Sequence, residues 1–200
     1  DLSPWLEEIE NFPYQTRLNK GLHILSDVLI SVYYEIANQE NPEIFPLKGE
    51  NALGTIFFIP GQSDHPNTWG NESVNIVAVE DETIITITPS IDIENHAAGI
   101  PFEIELDKGE TYAFTDPLTI ALSSLAGTKV TSDKAIAISI SDDSVDDDRP
   151  FDLIGDQLVP IDYLGLKYII IKGEGIPYNK TEMVYIMAIE NNTSLFIDGS

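Results

Sequence analysis

The sequence predicts an all-β fold built from two pseudo-repeats of about 110 residues, each an antiparallel β-sandwich-like unit. Three observations support this prediction. Runs rich in Ile and Val are punctuated by Pro and Gly, which favours strands over helices. Short polar turns separate these runs, as they do in antiparallel β structure. Finally, three separate stretches recur in the same order along the chain, which indicates an internal repeat.

The clearest recurrence joins residues 74–88 to residues 184–198, at an offset of 110. In each copy two apolar, β-branched runs flank a polar turn, Glu-Asp-Glu-Thr at 80–83 and Glu-Asn-Asn-Thr at 190–193. This pattern predicts a hairpin in each copy.

Two further recurrences support the repeat. Residues 21–34 predict a strand, a Ser-Asp turn and a second strand, and residues 127–138 return at an offset of 106 with the glycine, the Ser-Asp pair and an isoleucine matched. Residues 52–59 return as residues 163–171, where the offset from Gly54 to Gly165 is 111. Small loop insertions account for the drift in offset.

The recurrences divide the chain into four parts, which are listed here in order: an amino-terminal arm at 1–20, a first β repeat at 21–100, connecting strands at 101–126 and a second β repeat at 127–200. Two sandwiches side by side, which we prefer, and one larger sandwich with two pseudo-symmetric halves both satisfy this pattern. The period-two strand predicted at 102–106 has no second version before Ser200. We therefore expect that the arm supplies the missing strand or that the natural protein continues.

Charge and composition exclude several classes of partner. Ten basic and 34 acidic residues give a net charge of -24, which repels nucleic acid and anionic lipid. No apolar run is long enough to cross a bilayer, so no membrane insertion is expected. There is no cysteine and hence no disulfide framework. Four potential glycosylation sites, at Asn71, Asn179, Asn191 and Asn192, favour a secreted, extracellular or cell-surface glycoprotein.

The motifs of common enzymes are missing from the sequence. It has no phosphate-binding glycine loop, no nucleophile elbow and no His-Glu-x-x-His pair. The three histidines, His23, His65 and His96, are isolated from one another. Ser63-Asp64-His65 predicts a polar loop, because three neighbours on one loop do not form a catalytic relay by adjacency. We therefore expect no enzymatic activity; an uncharacterised hydrolase is the weakest of the alternatives.

An acidic loop at 141–152 is the sharpest local feature. It carries the aspartates Asp142, Asp143, Asp146, Asp147 and Asp148. Ca²⁺ takes 6–8 oxygen ligands, which so dense a carboxylate loop can supply. The spacing does not follow the EF-hand pattern, and a solvated acidic loop is the alternative. The sequence thus offers Ca²⁺ as its one candidate cofactor.

A series of short motifs carries a resemblance to a known family. In chain order they are Gly21 with Ser26-Asp27, Leu53-Gly54, residues 78–83, residues 108–112, residues 126–134, residues 156–160, Leu164-Gly165 and residues 188–193. In this order they resemble the amino-terminal domain of the IgGFc-binding protein family over residues 21–200. The chain departs from the family pattern at Asp156, where that pattern tends to have Glu, and it lacks the cysteine-rich modules of the mucus proteins. The resemblance implies a secreted adhesion or matrix role without enzymatic activity.

Two functions follow as hypotheses. The first is a non-enzymatic extracellular adhesion or matrix module that binds a protein or glycan partner through the loops at 62–72 and 141–152. The alternative is a structural subunit of a larger secreted assembly, such as a fibre, coat or mucus layer, which would use self-association. The edge strands discriminate between them, because a binding module protects its edges whereas an assembly subunit leaves one open.

Overall fold

A computed structural model describes residues 11–36, 42–61, 70–117, 124–143, 153–171 and 184–197. The chain divides into two compact units, Asp1–Leu164 and Gly165–Ser200. The described part of the first unit is all-β, which confirms that part of the predicted fold class, whereas the two pseudo-repeats stay a prediction. Its strands, in chain order, are β1 Tyr33–Ile36, β2 Glu43–Pro46, β3 Gly54–Phe58, β4 Glu72–Ala78, β5 Thr83–Thr88, β6 Phe102–Leu106, β7 Thr111–Thr115, β8 Lys129–Asp142 and β9 Ile154–Gln157. Short 3-10 helices lie at Gly49–Ala52 and Ile161–Tyr163.

Strand β8 organises a curled, seven-stranded antiparallel sheet. With 14 residues it is long enough to pair with β3 and β5 near its start and with β4 and β9 near its end. Strand β7 adds to β4, and β6 adds to β5. Strands β1 and β2 form a separate two-stranded sheet.

The hydrophobic core is made by the inward-facing side chains of β3 to β8. Alternation along β5 shows the reason: Ile85 and Ile87 are fully buried whereas Ile84 is exposed. Phe57 and Phe114 are the largest fully buried side chains. Burying one such side chain stabilises the fold by roughly 1.5–3 kcal/mol, so the core holds the strands on which the loops are mounted.

Two predicted turns have a different structural role. Strands β4 and β5 do not pair with each other, and both run antiparallel to β8, so the hairpin predicted at 74–88 is wrong. The Ser-Asp turn predicted at 132–133 is also wrong, because β8 runs through it. The two features meet instead: Asp133 Oδ1 accepts a hydrogen bond from Ile84 N at 2.8 Å. Asp133 thus links β8 to the neighbouring strand β5 instead of forming a turn that reverses the chain direction.

The amino-terminal arm covers the outer edge of β7. Leu18 exchanges backbone hydrogen bonds with Thr111, and Gly21 N donates to Gly109 O at 3.0 Å. Arg17 forms ion pairs with Asp107 and Glu110 in the same region. The described residues of the arm therefore bond to the seven-stranded sheet. The arm had been expected either to supply the missing strand of the second repeat or to leave it to a continuation of the chain, and its described residues do not supply that strand.

The second unit is described only at 165–171 and 184–197, and those residues carry no assigned strand. The turn at 190–193 is formed, because Thr193 Oγ1 donates to Glu190 O at 2.8 Å. Asn192 adopts a left-handed φ of 62° there. Many apolar side chains of this unit are exposed.

Candidate functional site

Four acidic residues meet where β4 begins and where β7 and β8 end. Glu72 is the first residue of β4 and lies opposite Asp142 in the β4–β8 pairing. Asp116 follows the last residue of β7, and Asp143 follows β8. We call this group, Glu72, Asp116, Asp142 and Asp143, the acidic end. The described residues that flank both loops proposed from the sequence, 62–72 and 141–152, lie here.

Glu72 holds a neighbouring loop to the sheet. Its side chain is buried, and its two carboxylate oxygens accept hydrogen bonds from Ser124 Oγ at 3.0 Å and from Leu125 N. Burial raises the pKa of Glu72 to about 7, the two hydrogen bonds oppose that rise, and Asp142 and Asp116 reinforce it. The carboxylate of Glu72 therefore both holds the loop at Ser124 and Leu125 and binds a proton more readily than an ordinary glutamate.

Asp116 closes a ring with the backbone of Glu72. Its Oδ1 accepts a hydrogen bond from Glu72 N at 2.8 Å, and Asp116 N donates to Glu72 O at 3.1 Å. The aspartate is 8% exposed. This ring fixes the first residue of β4 against the end of β7.

The predicted calcium ligands are only partly described. Asp143 Oδ1 accepts a hydrogen bond from Asn71 N, and burial raises the pKa of Asp143. Asp146, Asp147 and Asp148 lie outside the described residues. Within the described ranges, no three acidic or histidine side chains are grouped so as to hold a metal ion. The calcium site stays a prediction.

The predicted glycosylation sites fall in three settings. Asn71 is half-buried just before β4, and the Ser73 of its sequon is buried in the strand. Asn191 and Asn192 are exposed in the turn at 190–193. Asn179 lies outside the described residues. These positions place two sequons on the surface without testing their use.

The histidines do not converge on a site in the described chain. His96 stacks on Phe102 with ring centroids 3.5 Å apart. His23 is exposed in the segment before β1, and His65 is outside the described residues, as are Ser63 and Asp64. His96 thus has a packing role.

Two of the motifs that carry the family resemblance contact each other. Asp156 Oδ2 lies 2.6 Å from Lys48 Nζ, and Gln157 Oε1 accepts a hydrogen bond from Lys48 N at 2.6 Å. Pro160 packs on Gly54 so closely that a Cβ built at Gly54 would lie 2.3 Å from Pro160 Cβ. The motif at 156–160 therefore joins β9 to the start of β3.

Sequence reasoning did not single out Glu72, which ends the proposed loop at 62–72, and it missed Asp116. Neither residue stands out in a chain with 34 acidic residues. The one available signal was position: each residue lies at the end of a strand that carries no other charged side chain. The partners of the Glu72 carboxylate, Ser124 and Leu125, are more than 50 positions away, so only the fold brings them together.

Within the described residues, no helix is long and apolar enough to cross a membrane. Neither the curated proteins nor the solved structures provided a match to the chain. The family model described as IgGFc binding protein matches residues 45–200, which is most of the chain. It confirms the resemblance carried by the short motifs. The chain belongs to the IgGFc-binding protein family.

Proposed function

We propose that this chain is a non-enzymatic, extracellular adhesion or matrix module that binds a protein partner through the loops at its acidic end. The observation that carries the proposal is the protection of β6 and β7, the two strands that end the order β6-β5-β8-β4-β7 in the seven-stranded sheet. The arm covers β7, and β6 carries the exposed charges Glu103 and Glu105 after Pro101. Charged or covered edges resist pairing with another sheet. Recognition is then left to the loops.

The charge of the chain supports a basic partner surface. The net charge is -24, and Asp142 and Asp143 place part of it where the loops leave the sheet. Complementary charge accelerates association and fixes orientation more than it raises affinity. The family description supports a protein partner and an extracellular or secreted location.

Binding to an immobilised IgG Fc fragment, the protein in the family description, tests this proposal. We expect saturable binding that the double variant Asp142→Asn/Asp143→Asn weakens several-fold. The matched control, Glu103→Gln/Glu105→Gln, removes the same charge from the β6 edge and should bind normally. Equal weakening by both variants would show that only net charge matters. Absence of saturable binding would reject this partner.

We also infer that the chain contains two copies of one repeat. The four residue pairs of β1 and β2 correspond one by one to the four pairs of β8 and β9, at offsets of 106 and 111. A 3-10 helix follows both β2 and β9. These correspondences support the repeat inferred from the sequence. They also support a sandwich-like fold for the second repeat at 127–200.

A structural subunit of a larger secreted assembly is the second candidate. One observation favours it: residues 22–30 include six apolar side chains that are all exposed, among them Leu25 and Leu29 at 81% and 104%. Calcium binding by the loop at 141–152 and glycosylation of Asn191 or Asn192 are proposals compatible with either function.

A further inference from the structure

The two-stranded sheet of β1 and β2 has one face on which every side chain is exposed. Tyr33 lies opposite Pro46, and Glu35 lies opposite Ile44. Side chains two positions apart on a strand, and those directly opposite each other on paired strands, point to the same face of a sheet. All four are exposed, Tyr33 by 63% and Ile44 by 58%. We call this group, Tyr33, Glu35, Ile44 and Pro46, the small-sheet face.

The opposite face of the same two strands holds them to β9. Phe45 is buried, and its ring lies so close to β9 that a Cβ built at Gly155 would be 2.7 Å from Phe45 Cε1. Tyr34, which is paired with Phe45, contacts that ring with centroids 5.4 Å apart. Beyond β2, Lys48 forms an ion pair with Asp156 at 2.6 Å. The small sheet is therefore fixed to β9 through one face, and the small-sheet face is the one presented to the surface.

Tyr33 and Glu35 together have the chemistry that recognises an arginine side chain. A guanidinium stacks on an aromatic ring, and its planar set of N–H donors pairs with a carboxylate. The Cα atoms of Tyr33 and Glu35 are two strand residues, or about 6.6 Å, apart, so one guanidinium can contact both side chains. Within the part of the chain that the structure describes, the Glu35 carboxylate has no ion pair or hydrogen bond of its own. Ile44 and Pro46 offer apolar surface for the methylene groups of the arginine.

The charge of the chain selects a basic partner for this face. A net charge of -24 attracts basic proteins and repels acidic ones. Among the described residues the one arginine, Arg17, is held by Asp107 and Glu110 at 2.9 and 2.5 Å. That guanidinium is therefore already engaged elsewhere in the fold. An arginine that binds Tyr33 and Glu35 is accordingly expected from another protein.

We propose that the small-sheet face is a docking surface for an arginine-bearing segment of a basic partner protein. The guanidinium lies on the ring of Tyr33 and pairs with the carboxylate of Glu35, while Ile44 and Pro46 pack against the apolar part of the segment. Exposed tyrosine and apolar side chains on a fixed support are typical of protein interfaces. This surface shares no residue with the acidic end, so the proposal is independent of the loop binding proposed above.

Hexa-arginine and hexa-lysine peptides test the proposal, because they carry the same charge and differ in the ability to stack on an aromatic ring. Titration calorimetry at constant ionic strength measures the affinity of each peptide. We expect the original chain to bind hexa-arginine more tightly than hexa-lysine. Tyr33→Ala should weaken hexa-arginine binding about two- to fivefold and remove most of this preference. Tyr33→Phe keeps the ring and should retain the preference.

Matched variants separate this face from the rest of the acidic surface. Tyr163→Ala removes a tyrosine that is 54% exposed outside the small sheet and should leave the preference for hexa-arginine unchanged. Glu35→Gln should weaken hexa-arginine binding more than Glu50→Gln, which removes the same charge from an exposed position in a 3-10 helix. The double variant Asp142→Asn/Asp143→Asn should retain the preference. Failure of loop binding and failure of this proposal are therefore distinguishable.

Several results would overturn the proposal. Equal affinity of the original chain for the two peptides would show general charge attraction alone. A preference for hexa-arginine that survives Tyr33→Ala, or that Tyr163→Ala removes equally, would place the binding elsewhere. Binding of maltohexaose that Tyr33→Ala abolishes, without a preference for hexa-arginine, would assign the face to a neutral glycan instead. None of the exchanged tyrosines belongs to the hydrophobic core, so the variants should fold, and their unfolding temperatures check this.

Discussion

Thr83 and Thr193, 110 positions apart, make the same hydrogen bond: each hydroxyl donates to the backbone oxygen three residues earlier, at 2.7 Å to Glu80 O and 2.8 Å to Glu190 O. The residue before each threonine is left-handed, with φ of 54° at Glu82 and 62° at Asn192. The turn is thus a local structure that forms with or without paired strands around it.

This relationship predicts unequal effects of one substitution. Thr83 is fully buried whereas Thr193 is exposed, so water replaces the lost hydroxyl only at Thr193. We expect Thr83→Val to lower the free energy of unfolding by about 1 kcal/mol and Thr193→Val to lower it by less than about 0.5 kcal/mol. Urea unfolding at low protein concentration measures both. Equal losses would contradict this account of the turn.

Glu72 should give the chain a specific pH dependence. Its pKa in the folded chain is about 7, above the ordinary value of 4.5, so the folded state binds this proton more tightly than the unfolded state. The contribution of Glu72 to stability therefore rises as pH falls from about 8 to 5. The expected gain is up to about 3 kcal/mol, because each tenfold difference in proton affinity corresponds to about 1.4 kcal/mol.

Glu72→Gln isolates this effect. The amide can still accept a hydrogen bond from Leu125 N, but it does not titrate. As pH falls, the unfolding free energy of the original chain should rise relative to that of the variant. Glu103→Gln, which removes one exposed negative charge, serves as the control for the change in net charge. A pH-independent difference for Glu72→Gln would show that burial does not perturb this carboxyl.

The contact between Gly54 and Pro160 predicts a steric coupling. A methyl group at Gly54 has no room, because its Cβ would lie 2.3 Å from Pro160 Cβ. Gly54→Ala should destabilise the chain by about 1–3 kcal/mol. Adding Pro160→Gly removes the obstructing side chain, so the second substitution should recover part of the loss from the first. A double-mutant cycle by chemical denaturation measures this coupling. Strict additivity would exclude direct contact as the cause.

Calcium binding by the acidic loop has a thermal signature. If Asp142 and Asp143 take part in a site with Asp146, Asp147 and Asp148, millimolar Ca²⁺ should raise the unfolding temperature at constant ionic strength. Mg²⁺ should not replace Ca²⁺, and a chelator should reverse the shift. The triple change of Asp146, Asp147 and Asp148 to Asn should abolish it. An unchanged unfolding temperature would identify a solvated acidic loop.

The fold class was predictable because apolar periodicity determines which residues form strands. The alternation that places Ile85 and Ile87 in the core is visible in the sequence. Pairing was not predictable in the same way. Glu80 to Thr83 has the composition of a hairpin turn, but β4 and β5 each pair with β8, which begins 41 positions after β5 ends (129 − 88) and so lies beyond any local pattern.

The loops of the candidate site could be predicted from the sequence, but the roles of the buried residues Glu72 and Asp116 could not. A dense run of aspartates is visible without a structure, and its first members, Asp142 and Asp143, do lie at the acidic end. Glu72 and Asp116 acquire their roles from burial and from each other, through contacts that span 44 positions. Charge alone could not distinguish them from the other carboxylates.

The late position of β8 affects how the chain is made. Its amino-terminal partner β3 ends at residue 58, whereas β8 begins at residue 129, a gap of 71 positions. At about 5–20 residues per second, ribosomes take roughly 4–14 s to cover that gap. During this time the nascent strands β3, β4 and β5 lack the strand that joins them, and long-range pairing of this kind is slow to form. Mutual repulsion among acidic side chains would keep neighbouring nascent chains apart during that delay.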